Sequence, residues 1–298
     1  MEKFINNSGQ GENLSLVKVN SVDNVNSIPS ENIRIPDQKE SETIEFVSNK
    51  LNLVSGDVLS GEKSILDSTI EMSVLVHEAI DRVVNSLVTE LQLDKSNLPF
   101  AIFLFGSPSR NLMLPNSDLD IGFVFLDDCP DEVKILLHER ISNLPFDKID
   151  IAGWSSIEEM KKENCLDMIE YSKATDAKFV SGNDNISKEY TESIRDKDTK
   201  EDKVNRFITE FGLFHKHDYL AKRTENGPNL KYDFGASRDI IFLDWFYIIN
   251  TNNNKEREEE TTPFFFKSLD ILLEKDLISI EEHDQLKSII EIILLVKF

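Results

Sequence analysis

The 298-residue chain carries 55 acidic and 33 basic residues, a formal net charge of −22, and is 40% hydrophobic. So large a negative field repels polyanions and offers few cations to neutralise phosphates, which argues against a general nucleic-acid binder but not against a small nucleotide. No run approaches the roughly 18–20 apolar residues that span a bilayer, and the first 13 residues lack the apolar core of a secretory signal. Cys129 and Cys165 form neither a CxxC pair nor part of a Cys/His zinc set, and read as free thiols in a reducing compartment. A cytoplasmic location is expected, with a secreted effector or toxin as the open alternative.

Residues 1–62 are rich in Asn, Ser, Glu and Asp without a sustained apolar period. They read as a mostly disordered tail, with a short helix near Glu42–Leu53. From Ser64 the apolar residues Ile65, Ile70, Val74, Val76, Ile80, Val83, Val84, Leu87, Val88 and Leu91 recur at mostly helical spacing, predicting a long amphipathic helix ending near Leu93. The apolar run Phe100–Phe105, closed by Gly106, reads as a buried strand. Asp118–Leu126 reads as a second strand, Asp131–Asn143 as a helix and Lys148–Trp154 as a third strand. Ser156–Lys162 and Cys165–Ser172 read as short helices, and Ala177–Val180, before Gly182, as a further strand. Lys200–Arg223 and Ser237–Ile249 are helical, Asn250–Thr262 is a charged linker, and Pro263–Lys275 with Ser279–Lys297 form a helical hairpin around Asp276. The organisation is a small α/β core followed by a helical region.

The chemistry concentrates in Phe105–Ile121. Residues two apart on a strand share a face, so Asp118 and Asp120 project together. Two neighbouring carboxylates repel unless something compensates, and a divalent cation with oxygen ligands, Mg²⁺ or Mn²⁺, is the usual compensator. Gly106 permits a turn and close backbone approach to a phosphate, and Ser107 offers a hydroxyl and an amide N–H. A third carboxylate is expected from a neighbouring strand, with Asp150 the candidate and Asp147 its competitor. Three carboxylates can hold two metal ions about 3.5–4 Å apart, one activating the attacking oxygen and one stabilising the leaving pyrophosphate. Asp150 is also the candidate base. His215 and His217, two apart in an expected helix, do not share a face and make a poor metal pair.

Gly-Ser, a spacer and Asp-x-Asp resemble the pattern of the nucleotidyltransferase superfamily. Arg110 and Pro115-Asn-Ser-Asp-Leu-Asp120 are similar, more narrowly, to the nucleotidyltransferase region of bacterial PII-protein uridylyltransferases. A second block, Pro228-Asn-Leu-Lys-Tyr-Asp-Phe-Gly-Ala-Ser-Arg-Asp-Ile240, resembles that family's Pro-Asn-hydrophobic-Lys stretch. The chain departs from the family at Ser107, Asn111-Leu112, Tyr232 and Ala236. The resemblance implies an α+β fold, a small mixed-sheet, polymerase-beta-like core with a C-terminal helical region. The implied division is a tail over 1–62, a nucleotidyltransferase domain over 63–195 and a helical domain over 196–298. The implied metal ligands and catalytic residues are Asp118, Asp120 and Asp150. Gly106, Ser107, Arg110, Ser117, Lys231 and Arg238 are the implied nucleotide-binding residues. Arg110, Lys231 and Arg238 also carry a second reading as structural ion-pairing residues.

The expected activity is transfer of an NMP from an NTP, UTP or ATP, to a protein acceptor, with release of pyrophosphate. Transfer to tRNA or a small molecule is the alternative within the same chemistry. A non-catalytic nucleotide-binding regulatory module is the alternative outside it. The net charge makes nucleic acid an unfavoured partner, and no membrane partner is expected.

Overall fold

The computed structural model describes residues 38–154, 177–195 and 264–297, together with Asn205 and Thr209. Along the chain run α1 (Gln38–Ser60), α2 (Ile65–Glu90), β1 (Phe100–Phe105), α3 (Gly106–Ser109), β2 (Leu119–Phe125), α4 (Asp131–Ser142), β3 (Ile149–Trp154), β4 (Lys178–Gly182), α5 (Asp184–Arg195), α6 (Phe264–Glu274) and α7 (Ile280–Lys297). The fold is α+β, built on a mixed four-stranded sheet of order β3-β2-β1-β4. β1 pairs antiparallel with both β2 and β4, whereas β2 and β3 run parallel through the α4 crossover.

Alternation along the strands divides the core between the two sheet faces. Phe100, Ile102 and Leu104 of β1, with Leu119, Ile121 and Phe123 of β2, face a large cluster that includes Met72, Val76, Ile80, Val84 and Leu87 of α2 and Val133, Leu137 and Ile141 of α4. The apolar stripe of α2 dictates this docking, and Ser64 starts the helix by accepting a bond from the Asp67 amide at 3.1 Å. On the opposite face, Ala101, Phe103 and Val124 meet Ile186 and Tyr190 of α5. Phe103 and Tyr190 have ring centroids 4.4 Å apart.

The first helix departs from the sequence expectation. Instead of a short helix inside a disordered 1–62 segment, α1 is an unbroken 23-residue helix from Gln38; residues 1–37 lie outside the described residues. Thr43, Val47 and Val54 are buried, and Ile44, Leu51 and Val58 lie half-buried along the same stripe. Val47 and Val54 are fully buried in the main cluster, each contributing about 1.5–3 kcal/mol. The Arg82 guanidinium of α2 lies 3.8 Å from the Phe46 ring centre. Polar residues anchor the same junction. Glu40 accepts from Asn143 Nδ2 at 3.0 Å, and the buried Arg140 guanidinium donates to Ser86 Oγ at 2.8 Å while pairing with Glu90. Buried polar side chains in the stripe hid its period from composition.

The expected C-terminal hairpin forms as α6 and α7. Ser279 and Glu282 cap α7 reciprocally: the Glu282 amide donates to Ser279 Oγ, and the Ser279 amide to Glu282 Oε2. Phe266, Leu269, Ile290 and Leu294 of the hairpin pack on Ile65 and Leu114, with Leu112 at the margin. The hairpin therefore supports the loop that joins Gly106 to Asp118. The expected elements Ser156–Lys162, Cys165–Ser172 and Ser237–Ile249 and the linker Asn250–Thr262 lie outside the described residues. Of the helix expected over Lys200–Arg223, Asn205 and Thr209 are described; both are helical, with Thr209 Oγ1 donating to the Asn205 carbonyl at 2.9 Å.

Candidate active site

Strand direction gathers the site. β1 ends where the antiparallel β2 begins, and the parallel β3 begins at that same end. Register sets Phe105 opposite Asp120, and Asp120 beside Asp150. The Asp150 carboxylate thus shares a sheet face with Asp118 and Asp120. This is the face that α5 covers at its other end, over Ala101, Phe103 and Val124. Asp147, the competitor for third carboxylate, precedes β3 and falls outside that register.

Gly106 is fitted to Asp120. Its φ is +65°, in the left-handed region that favours glycine, and a Cβ built there would lie 2.5 Å from Asp120 Oδ2. The glycine backbone and the second carboxylate of the Asp-x-Asp pair are therefore in direct apposition. Beyond it, the Ser107 carbonyl accepts from the Arg110 amide at 3.3 Å and the Leu112 amide at 3.0 Å. Ser109 Oγ donates to the Gly106 carbonyl at 2.8 Å. Ser117 closes the next turn: its amide donates to the Leu114 carbonyl at 2.9 Å, and its hydroxyl accepts from the Leu114 amide at 3.0 Å. That hydroxyl can still donate its hydrogen. The loop is thus held in shape from both ends.

The charges are strongly coupled. Burial, then Asp150, then Asp118 push the Asp120 carboxyl above its ordinary value, opposed by the positive charges of Arg110 and Lys148. Arg110 is itself buried, at 6% exposure, so its charge acts with little solvent screening. Lys148 was not singled out in the sequence, yet its ammonium lies 3.6 Å from Asp118 Oδ2 and bonds Asp150 Oδ2. The signal was present as Lys-x-Asp two residues before the third carboxylate. Its meaning depends on β2 and β3 being parallel and in register.

Among the described residues no three His, Cys, Asp or Glu side chains close on one point as a ready-made metal cage. Asp118 and Asp150 close on the Lys148 ammonium instead. The donor chemistry nevertheless fits a hard divalent cation: three carboxylates on one face, with Asp120 raised in pKa by burial and then by the other two, and a cation already drawn to the remaining pair. Asp118, Asp120, Asp150, Gly106, Ser107, Arg110 and Ser117 all gather at this end of the sheet. Lys231 and Arg238, with the block around them, lie outside the described residues.

Comparison with curated proteins finds no match. A solved structure titled "Crystal structure of the toxin-antitoxin with AMP-PNP" is 14% identical, over 46% of this chain and 91% of that chain, with a TM-score of 0.24; a likeness at that score carries no argument. Among the described helices none is long and apolar enough to cross a membrane. Residues 84–224, which span all four strands and the carboxylate face, match the family model of the nucleotidyltransferase domain, and this match supports placing the region in the nucleotidyltransferase superfamily.

Proposed function

We propose that this chain is a metal-dependent nucleotidyltransferase that moves an NMP from an NTP, UTP or ATP, to a hydroxyl of a protein acceptor and releases pyrophosphate. The observation that carries the reading is the apposition of the Gly106 backbone and the Asp120 carboxylate on a face shared with Asp118 and Asp150. In this reading Asp118, Asp120 and Asp150 hold Mg²⁺ or Mn²⁺, and the bound metal supplies neutralisation of the triphosphate and of the charge on the leaving pyrophosphate. Gly106 brings backbone close to the phosphates, and the Ser107 hydroxyl and amide hydrogen-bond them. Buried Arg110 adds a fixed positive charge, and Ser117 keeps the approach to Asp118 in shape. Asp150, on the strand beside Asp120, is the group that accepts the acceptor hydroxyl's proton. Lys231 and Arg238 are proposed as further phosphate contacts.

The net charge of −22 favours a protein or small acceptor over tRNA. The protein-uridylyltransferase resemblance of Arg110 and Pro115–Asp120 favours protein. The test is incubation of the purified protein with a cell lysate, Mg²⁺ or Mn²⁺ and each of four α-labelled NTPs, beside Asp118→Ala. Label in protein, lost in the variant, is the expected result. Label in RNA or in a small molecule redirects the acceptor. Nucleotide binding without turnover, unchanged in Asp118→Ala, leaves a regulatory module as the better reading.

A further inference from the structure

The strand ends that carry the three carboxylates also carry Lys148, and its placement is fixed by the backbone. The Lys148 carbonyl accepts the Leu119 amide at 2.9 Å, so the start of β3 is tied to the start of β2. Lys148 and Asp150 are two apart and share a face. The register that sets Leu119 beside Ile149 and Asp120 beside Asp150, continued one residue back from its first pair, brings Lys148 to Asp118, where the ammonium lies 3.6 Å from Oδ2. The result is a square of four charged side chains, three negative and one positive, with Lys148 bonded to Asp150 and 3.6 Å from Asp118. Its side chain is 55% exposed, so the four-carbon stem is free to turn while the backbone stays fixed.

This arrangement cannot persist once a dication takes Asp118 and Asp150, because the ammonium would then face a larger like charge at contact distance. The nearest compensating anion is a polyphosphate arriving with the metal. We propose that Lys148 is an exchangeable counterion: it holds Asp118 and Asp150 in the metal-free protein and transfers its ammonium to the triphosphate when a divalent cation takes those carboxylates. This rests on the nucleotidyltransferase reading and adds to it a positioning residue with two successive partners. It also has a thermodynamic consequence. Lys148 competes with metal alone but assists metal and triphosphate together, so it couples the two ligands beyond their direct attraction.

The experiment titrates the full chain with Mn²⁺ alone, and then, at saturating Mn²⁺, with inorganic triphosphate, following both by calorimetry. Wild type, Lys148→Met and Lys148→Arg are compared. In Lys148→Met, Mn²⁺ alone binds about fivefold tighter and triphosphate about fivefold weaker, the scale set by an exposed ion pair. Lys148→Arg keeps both constants within about twofold of wild type on that same scale. Mn²⁺ affinity unchanged or weakened in Lys148→Met overturns the exchange, as does triphosphate affinity unchanged. Mn²⁺ binding in wild type that Asp118→Asn abolishes keeps the metal-site reading intact in either event. No Mn²⁺ binding by any of the proteins sinks both.

Discussion

Replacing Gly106 with Ala places a methyl group where the fold has no room for one. The backbone there has φ +65°, and leaving that angle to an L-residue costs about 1–2 kcal/mol. The new Cβ would also stand 2.5 Å from Asp120 Oδ2, so the carboxylate must retreat by about 1 Å to reach ordinary contact. A displacement of that size in a catalytic constellation costs about 100-fold in rate. Gly61 supplies the control. It ends α1 with φ +74°, its amide donating to the Val58 carbonyl at 3.1 Å, and a Cβ there meets nothing within 4 Å. Both Gly→Ala variants therefore bear the same backbone strain, and each is expected to lower Tm by roughly 3–6 °C. Only Gly106→Ala disturbs Asp120. Pyrophosphate release, measured beside thermal unfolding, should fall about 100-fold in Gly106→Ala and stay within about twofold in Gly61→Ala. Full activity in Gly106→Ala, or an equal loss in Gly61→Ala, refutes the coupling between the glycine and the carboxylate.

Three further outcomes follow from the charges. Asp120→Asn should abolish transfer yet raise Tm at neutral pH without metal. The wild-type carboxyl is pushed up by burial, Asp150 and Asp118, so its contribution is fullest below the ordinary carboxylate range and is lost as pH rises through the raised value. The Tm gap between variant and wild type should accordingly widen from about pH 4 to about pH 7, and a constant gap refutes the account. His283 shows the opposite chemistry: bonds to Asp270 at 2.7 Å and Asp284 at 3.1 Å raise its pKa. Its stabilisation of the α6–α7 hairpin is full below the ordinary imidazole value and is lost as pH rises through the raised one; protection of α7 amides, corrected for the intrinsic base-catalysed exchange rate, should fall over that range in wild type but not in His283→Gln. Arg140→Ala removes a guanidinium 1% exposed from between Ser86 and Glu90, and chemical denaturation should show a loss of about 3 kcal/mol.

The sheet was legible because its signals are local. Phe100–Phe105 is a continuous apolar run closed by a glycine, and β2 announces itself by two aspartates followed by Ile121, Phe123, Val124 and Phe125. The expected strand and hairpin limits agree with the observed ones within about two residues, the ordinary uncertainty of element ends. What sequence spacing could not supply was pairing. Spacing alone does not separate Asp150 from Asp147, whereas the parallel register places Asp150 beside Asp120. Lys148, two residues from an aspartate, is unremarkable in sequence until the neighbouring strand brings Asp118 to it. The full length of α1 is hidden in the sequence for a related reason. Its buried stripe includes Glu40 and Thr43, which composition counts as surface residues but which find partners in Asn143 and the Lys39 carbonyl.

The order of strands divides the site by mechanical firmness. Asp118 and Asp120 stand at the head of β2, an interior strand bonded on both sides, whereas Asp150 stands on β3, which borders the sheet among the described residues. Border strands open at lower free energy than interior ones. Two of the three carboxylates thus stand on a strand bonded on both sides, while the third stands on a border strand, which the general rule expects to fray first. If Asp150 serves in the proposed transfer, loosening of that margin would switch it off before the protein melted, so loss of transfer on heating should precede loss of secondary structure.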